Sequence, residues 1–234
     1  MKTLLILGSG PNVTQAKGWQ KTHFDKIITI NNAWRVRADW DVLIHPDDFP
    51  TDRLPPQMTS TQRIVRADTY VPIQNTFGGF VYAGGTMAFT AAYWALGAFK
   101  PTVIAMIGCD MTYDAAQTHF YGTGAPDPLR DDISLRSLKA KSARLQVLAA
   151  RAGCAMVNLS AAPSRLTFPR TTPLAAAASL PGDHDATAAA AALAEEARLG
   201  YYVPSGKYWK ERDRFDPAAI DALDHMWLKA ARLA

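Results

Sequence analysis

The stretch Leu4-Leu5-Ile6-Leu7-Gly8-Ser9-Gly10-Pro11-Asn12 decides the fold of this chain. Four consecutive apolar residues fit a strand buried on both faces, as in a parallel sheet. The glycines that follow let the backbone turn sharply and come close to a neighbour or a ligand. Four later segments repeat the pattern. Lys26 to Ile30 ends at Asn31 and Asn32, and Asp41 to Ile44 ends at His45, Pro46, Asp47 and Asp48. Val103 to Ile107 runs into Gly108, Cys109 and Asp110, and Ala155 to Leu159 runs into Ser160, Ser164 and Arg165. In an open parallel α/β sheet, ligands bind beyond the carboxyl ends of the strands, where strand order reverses. Parallel neighbours would bring all five polar runs to one cleft.

Apolar runs alternate with helical patterns through residue 160, which predicts an α/β fold: a Rossmann-like, mostly parallel sheet flanked by helices. A short helix is expected over Val13 to Trp19. Thr86 to Leu96 is apolar nearly all round, so it reads as a central, buried helix. Ser134 to Ala152 reads as amphipathic, with Leu135, Leu138, Leu145 and Leu148 at helical spacing and Gly153 as the stop. The four prolines of 163–182 mark a linker or an extended wrap. Beyond it lie an Ala-rich helix over Asp185 to Leu199 and a last helix, capped by Asp216 with Pro217 at its first position. The expected organisation is a nucleotide-binding transferase domain over 1–168 and a linker with a helical C-terminal extension over 169–234. In that extension Trp209 is expected to anchor the tail on the main domain, with Tyr201, Tyr202 and Lys207 open to other roles.

Composition narrows the function. The net charge is +4, and the basic excess lies in residues 1–169, with 17 Lys and Arg against 12 Asp. That suits a phosphate-bearing ligand and falls short of a nucleic-acid surface. No apolar run is long enough for a signal peptide or a membrane span, so the expected location is cytoplasmic. A homo-oligomer is compatible with the sequence. Cys109 and Cys154 form neither a disulfide framework nor a zinc motif and read as small buried hydrophobes. No Glu precedes Glu195, so any carboxylate in the main site must be Asp.

Each candidate site residue has a bland reading beside the functional one. Gly8, Ser9, Gly10, Pro11 and Asn12 lack the third glycine of a dinucleotide fingerprint and the Gly-Lys-Ser/Thr of a P-loop. They suit either a tight turn or a phosphate cradle. Asn31 and Asn32 are turn formers or amides for a base or ribose. Gly84, Gly85 and Thr86 open a helix N-terminus, where they provide an anion site or close packing. The long segment after Gly108 carries Asp110, Tyr113, His119 and Tyr121, and long loops in compact domains are usually functional. His119 is its candidate acid/base. Asp47, Ser164 and Arg165 are candidate substrate contacts, Asp47 alternatively a solvated turn. No set of residues has metal-ligand spacing.

Gly8-Ser9-Gly10-Pro11, Asn31, the Gly-rich opening of the central helix, Gly108-x-Asp110 with Tyr113, and His119-Phe120-Tyr121-Gly122 occur in this order. The order resembles that of bacterial sialyltransferases using CMP-sialic acid and of the central domain of Maf-type flagellin glycosyltransferases. It is similar also to the archaeal 6-hydroxymethylpterin diphosphokinase type. The resemblance spans roughly residues 3–168. It implies that Ser9 and Asn31 touch the nucleotide, Tyr113 the phosphate, and that His119 deprotonates an acceptor hydroxyl. Two departures are visible: Val81 and Gly84 stand where the sialyltransferases carry Arg and Ser, and the lid insertion before the histidine is nearly absent. The implied activity is an inverting glycosyltransferase taking a CMP-activated acidic sugar of the sialic acid or Kdo type, with a small-molecule or glycan acceptor and no required cofactor. A Mg²⁺-dependent pyrophosphokinase is the first alternative. A non-catalytic nucleotide-binding or assembly module for surface polysaccharide or phage-like functions is the second.

Overall fold

A computed structural model describes residues 2–112, 118–122 and 130–234. Six strands form one sheet: β1 (Thr3–Leu7), β2 (Lys26–Ile30), β3 (Val42–Ile44), β4 (Arg63–Val65), β5 (Val103–Ile107) and β6 (Ala155–Asn158). Their order is β4-β3-β2-β1-β5-β6, and every neighbouring pair is parallel. The chain builds outward from β1 to β4, then returns to lay β5 against the other side of β1. The strand order therefore reverses between β1 and β5.

Alternation along the strands feeds two cores. Leu4 and Ile6, with Ile28, Ile30, Val42 and Ile44, face the side covered by α1 (Ala67–Thr76), α3 (Met87–Phe99) and α4 (Leu138–Arg151). Leu5 and Leu7, with Ile27, Leu43, Ala105 and Ile107, face the other side. That second face is covered by irregular pieces. The 3-10 turns Pro11–Gly18 and Asn31–Val36 contribute Val13, Ala16, Ala33 and Val36. The helix expected over Val13 to Trp19 is thus a 3-10 segment beginning at Pro11. Gly10 and Asn31 explain the difference. Gly10 lends no side-chain cap, and Asn31 starts its turn with φ +52, so neither opening follows α-helical geometry.

The central helix forms as expected, with Thr86 as its N-cap accepting from the Phe89 amide at 3.2 Å. Ser137 caps α4, behind a 3-10 turn at Ile133–Leu135. The four-proline segment is a wrap: Leu166 and Phe168 enter the first core and Ala176 the second. Between them Arg170 bridges β6 in parallel, closing the sheet edge. α5 (Ala186–Leu199) and α6 (Pro217–Ala230) are capped by Asp185 and Asp216. They pack on α4 through a third core containing Val147, Ala192, Ile220, Leu223 and Trp227. α2 (Phe80–Ala83) joins that core through Val81 and Tyr82. Among the described residues no helix is long and apolar enough to cross a membrane.

Two buried ion pairs bind this outer layer. Arg144 on α4 grips Glu196 of α5 at 2.6 and 2.7 Å. It also donates to the Tyr93 hydroxyl and the Phe77 carbonyl, while Trp227 Nε1 donates to Glu196. Lys141 pairs with Asp224 of α6 at 2.7 Å, where burial pushes the Asp224 carboxyl up against the pull of Lys141. Tyr208, rather than Trp209, anchors the tail: it is buried against Phe80, and Trp209 is half exposed. The Tyr208 hydroxyl bonds Asp132, Ser134 and Arg130, while the indole of Trp209 is left at the rim.

Candidate functional site

At the reversal point the β1 and β5 turns touch through their backbones. Gly8 N donates to Ile107 O and Gly10 N to Gly108 O, both at 2.8 Å. A Cβ on Gly8 would stand 2.2 Å from Gly108 O, and one on Gly108, at φ +71, would meet Val13. Backbone contact between the two turns therefore accounts for these glycines. The amides of Gly8 and Gly10, which the sequence offered to a phosphate, are spent on this contact.

Beyond the junction opens a cleft of about 410 Å³, within the range of about 300–1,000 Å³ usual for small-molecule sites. Gly8, Ser9, Gly10, Pro11 and Asn12 form one wall. Ile30 and Asn31 stand at the end of β2, and Thr86, Met87 and Ala88 at the opening of α3. Gly108 to Thr112, Thr118, His119 and Tyr121 close it, with Ala162 and Pro163 at the far rim. Four of the five predicted strand ends thus meet in one hollow. Asn31 (φ +52) and Met111 (φ +53) are non-glycine residues held in the left-handed region. Such positions cost about 1–3 kcal/mol and cluster at ligand sites.

His119 belongs to a two-residue turn closed by reciprocal bonds, His119 N to Gly122 O at 3.0 Å and Gly122 N to His119 O at 3.1 Å. Phe120 N donates to Ser9 O at 2.9 Å, which fastens this turn to the β1 loop. Phe120 packs against the second core, and Tyr121 stays exposed with its ring stacked on the imidazole at 5.1 Å. Thr118 Oγ1 holds His119 Nδ1 at 2.9 Å. Burial shifts the imidazole below its ordinary value of 6.5, so it is neutral near pH 7.

Asp110 ties the strand ends together. Its carboxylate accepts from Asn12 Nδ2 at 2.7 Å and from Asn158 Nδ2 at 3.2 Å. Asn12 Nδ2 also donates to Ser160 Oγ, Asn158 Nδ2 to Ser164 Oγ, and Arg165 N to Asp110 O. Asp110 is 8% exposed, so in this geometry it positions the ends of β1, β5 and β6. Asn12 Oδ1 and Asn31 Oδ1 are buried acceptors without a partner among the described residues.

Several predicted residues lie elsewhere. Asn32 is buried under β2, and Gly84 and Gly85 sit behind the cleft wall against Lys141, Ser134 and Tyr208. Asp47 is exposed near Tyr70, whose hydroxyl burial pushes up to about 12. Ser164 supports Asn158, and the Arg165 side chain is exposed outside the lining. Tyr113 and residues 123–129 lie outside the described residues. Sequence reasoning missed Met111 and Asn158; an Asn inside an apolar strand was the available signal for the second. Among the described residues no group of three or more His, Cys, Asp and Glu is placed to hold a metal ion. Comparisons with protein-family models, with curated proteins and with solved structures give no match.

Proposed function

We propose that this protein is a nucleotide-dependent transferase, an inverting glycosyltransferase that takes a CMP-activated acidic sugar. One observation carries the reading: His119 lines the same hollow as Ser9 and Asn31, at the reversal between β1 and β5. That is where a nucleotide sits in doubly wound folds, and the order of residues resembles that of bacterial sialyltransferases. The unpartnered amide oxygens of Asn12 and Asn31 suit the N–H and O–H donors of a nucleoside.

In this reading neutral His119 takes the proton of an acceptor hydroxyl. The acceptor oxygen then bonds to the anomeric carbon, and the carbon–oxygen bond to phosphate breaks with its electron pair leaving on CMP. Thr118 and Tyr121 hold the imidazole in place for that transfer.

The test is CMP release from CMP-N-acetylneuraminic acid in EDTA, with and without lactose, by wild type and His119→Ala. The reading expects release by the wild type and a loss on the order of a hundredfold or more in the variant. Release at equal rates from both proteins would remove His119 from the chemistry. Activity with ATP that depends strictly on Mg²⁺ would favour a pyrophosphokinase.

A further inference from the structure

The turn that opens α3 is held from behind by the C-terminal extension. Gly85 N donates to Ser134 Oγ at 2.9 Å, and Ser134 Oγ lies 3.1 Å from Tyr208 Oη. Asp132 accepts from both hydroxyls, from Ser134 at 2.6 Å and from Tyr208 at 2.9 Å. Arg130 completes the group, donating to Gly85 O at 3.1 Å and to Tyr208 Oη at 3.2 Å. Ser134 and Tyr208 are buried. Burial works against ionisation of Asp132, yet the Ser134, Tyr208 and Arg130 donors outweigh it and hold the carboxyl below its usual range.

The two glycines fit this clamp. A Cβ on Gly85 would stand 2.3 Å from Tyr208 Oη and 2.8 Å from Ser134 Oγ. Gly84, at φ +91, would place a Cβ 2.8 Å from Phe89 and 3.2 Å from Lys141. The Gly85 amide, which the sequence left open to an anion or to close packing, is taken by Ser134 Oγ. The next residue, Thr86, caps α3 and donates to Met111 Sδ at 3.9 Å; both Thr86 and Met111 line the cleft.

We propose that Tyr208 is a positioning residue for the cleft: through Asp132 and Ser134 its hydroxyl clamps the Gly84–Gly85 turn and sets where Thr86 and the start of α3 stand. The extension is thereby part of the binding site's construction. The choice of CMP as probe rests on the function proposed above, while the clamp itself does not.

The experiment compares full-length wild type with Tyr208→Phe, which keeps the ring and removes only the hydroxyl. Amide exchange at residues 85–89 is read without ligand, and CMP affinity is read by calorimetry. Exchange should quicken about tenfold, the worth of one buried hydrogen bond. The Kd for CMP should rise about tenfold, as for a residue coupled to a site through packed neighbours. Ser134→Ala should reproduce both effects, and the double variant should be no worse than either single. Leu180→Ala, at an exposed residue away from this group, should change neither. Unchanged exchange in both variants overturns the clamp, and so does quickened exchange with CMP affinity unaltered. A wild type that does not bind CMP sinks the nucleotide reading instead, and the exchange data alone then decide the clamp.

Discussion

The backbone amide of Phe120 donates to the carbonyl oxygen of Ser9 at 2.9 Å. Residues 111 positions apart in sequence are thereby joined beyond the carboxyl ends of the central strands, where strand order reverses between β1 and β5. The bond sets the imidazole beside the β1 turn and leaves Tyr121 on the open side of the cleft. On the proposed function one hollow would serve both rate and ligand binding, so the two should respond together to changes here.

With His119 as the base of the proposed reaction, the pH dependence follows from that residue. Burial depresses its pKa below 6.5, so the neutral base persists to lower pH than a solvated histidine would. The acid limb of kcat/KM should have an apparent pKa below 6.5, and the residual activity of His119→Ala should lack that limb. In stability the sign runs the same way: the folded chain resists protonation of His119, so this group disfavours folding as pH falls below 6.5. A pH–rate profile of both proteins checks the first point.

Gly8→Ala tests the junction of the two turns. The added carbon would lie 2.2 Å from Gly108 O and 2.5 Å from Cys109 Sγ, both in a close-packed place. The β1 and β5 ends must separate, at a cost of about 1–3 kcal/mol or more. Urea denaturation should show that loss. Gly153→Ala, at a glycine with no atom within 4 Å of the added carbon, separates the cost of conformation alone from that of collision.

Arg144→Met should destabilise by about 3–5 kcal/mol, because Glu196 would keep its charge inside the protein without a partner. Adding Glu196→Leu should restore most of the loss, since a buried pair replaced by apolar side chains of similar size is often neutral. Denaturant midpoints of the single and double variants measure both.

Much of this was written in the sequence. The apolar strands and their polar ends predicted the parallel sheet and the hollow at its edge, and Thr86, Asp185 and Asp216 marked three helix starts. β4 escaped notice because three residues, Arg63 to Val65, follow a proline-broken stretch and carry no period of their own. α1 was hidden by Pro72 in its interior. The buried pairings of Lys141 and Arg144 were not legible, since one helix's pattern does not announce a second layer packed over it. For Gly84 and Gly85 the sequence left an anion site and close packing open together, because the tertiary neighbours of Gly85, Ser134 and Tyr208, lie 49 and 123 residues onward. Local sequence shows that a backbone amide is offered; only packing shows what takes it.

The central claim is that the hollow between the β1 and β5 turns holds a nucleotide. A melting-temperature screen with CMP, CDP, UDP, GDP and ATP, with and without Mg²⁺, tests it most directly. At a hundred times its Kd, CMP should add about 2.7 kcal/mol of stability, raising the melting temperature by about 5–10 °C for a chain of this size. Asn31→Ala should weaken that shift. No shift with any nucleotide, or a CMP shift untouched by Asn31→Ala, would contradict the account.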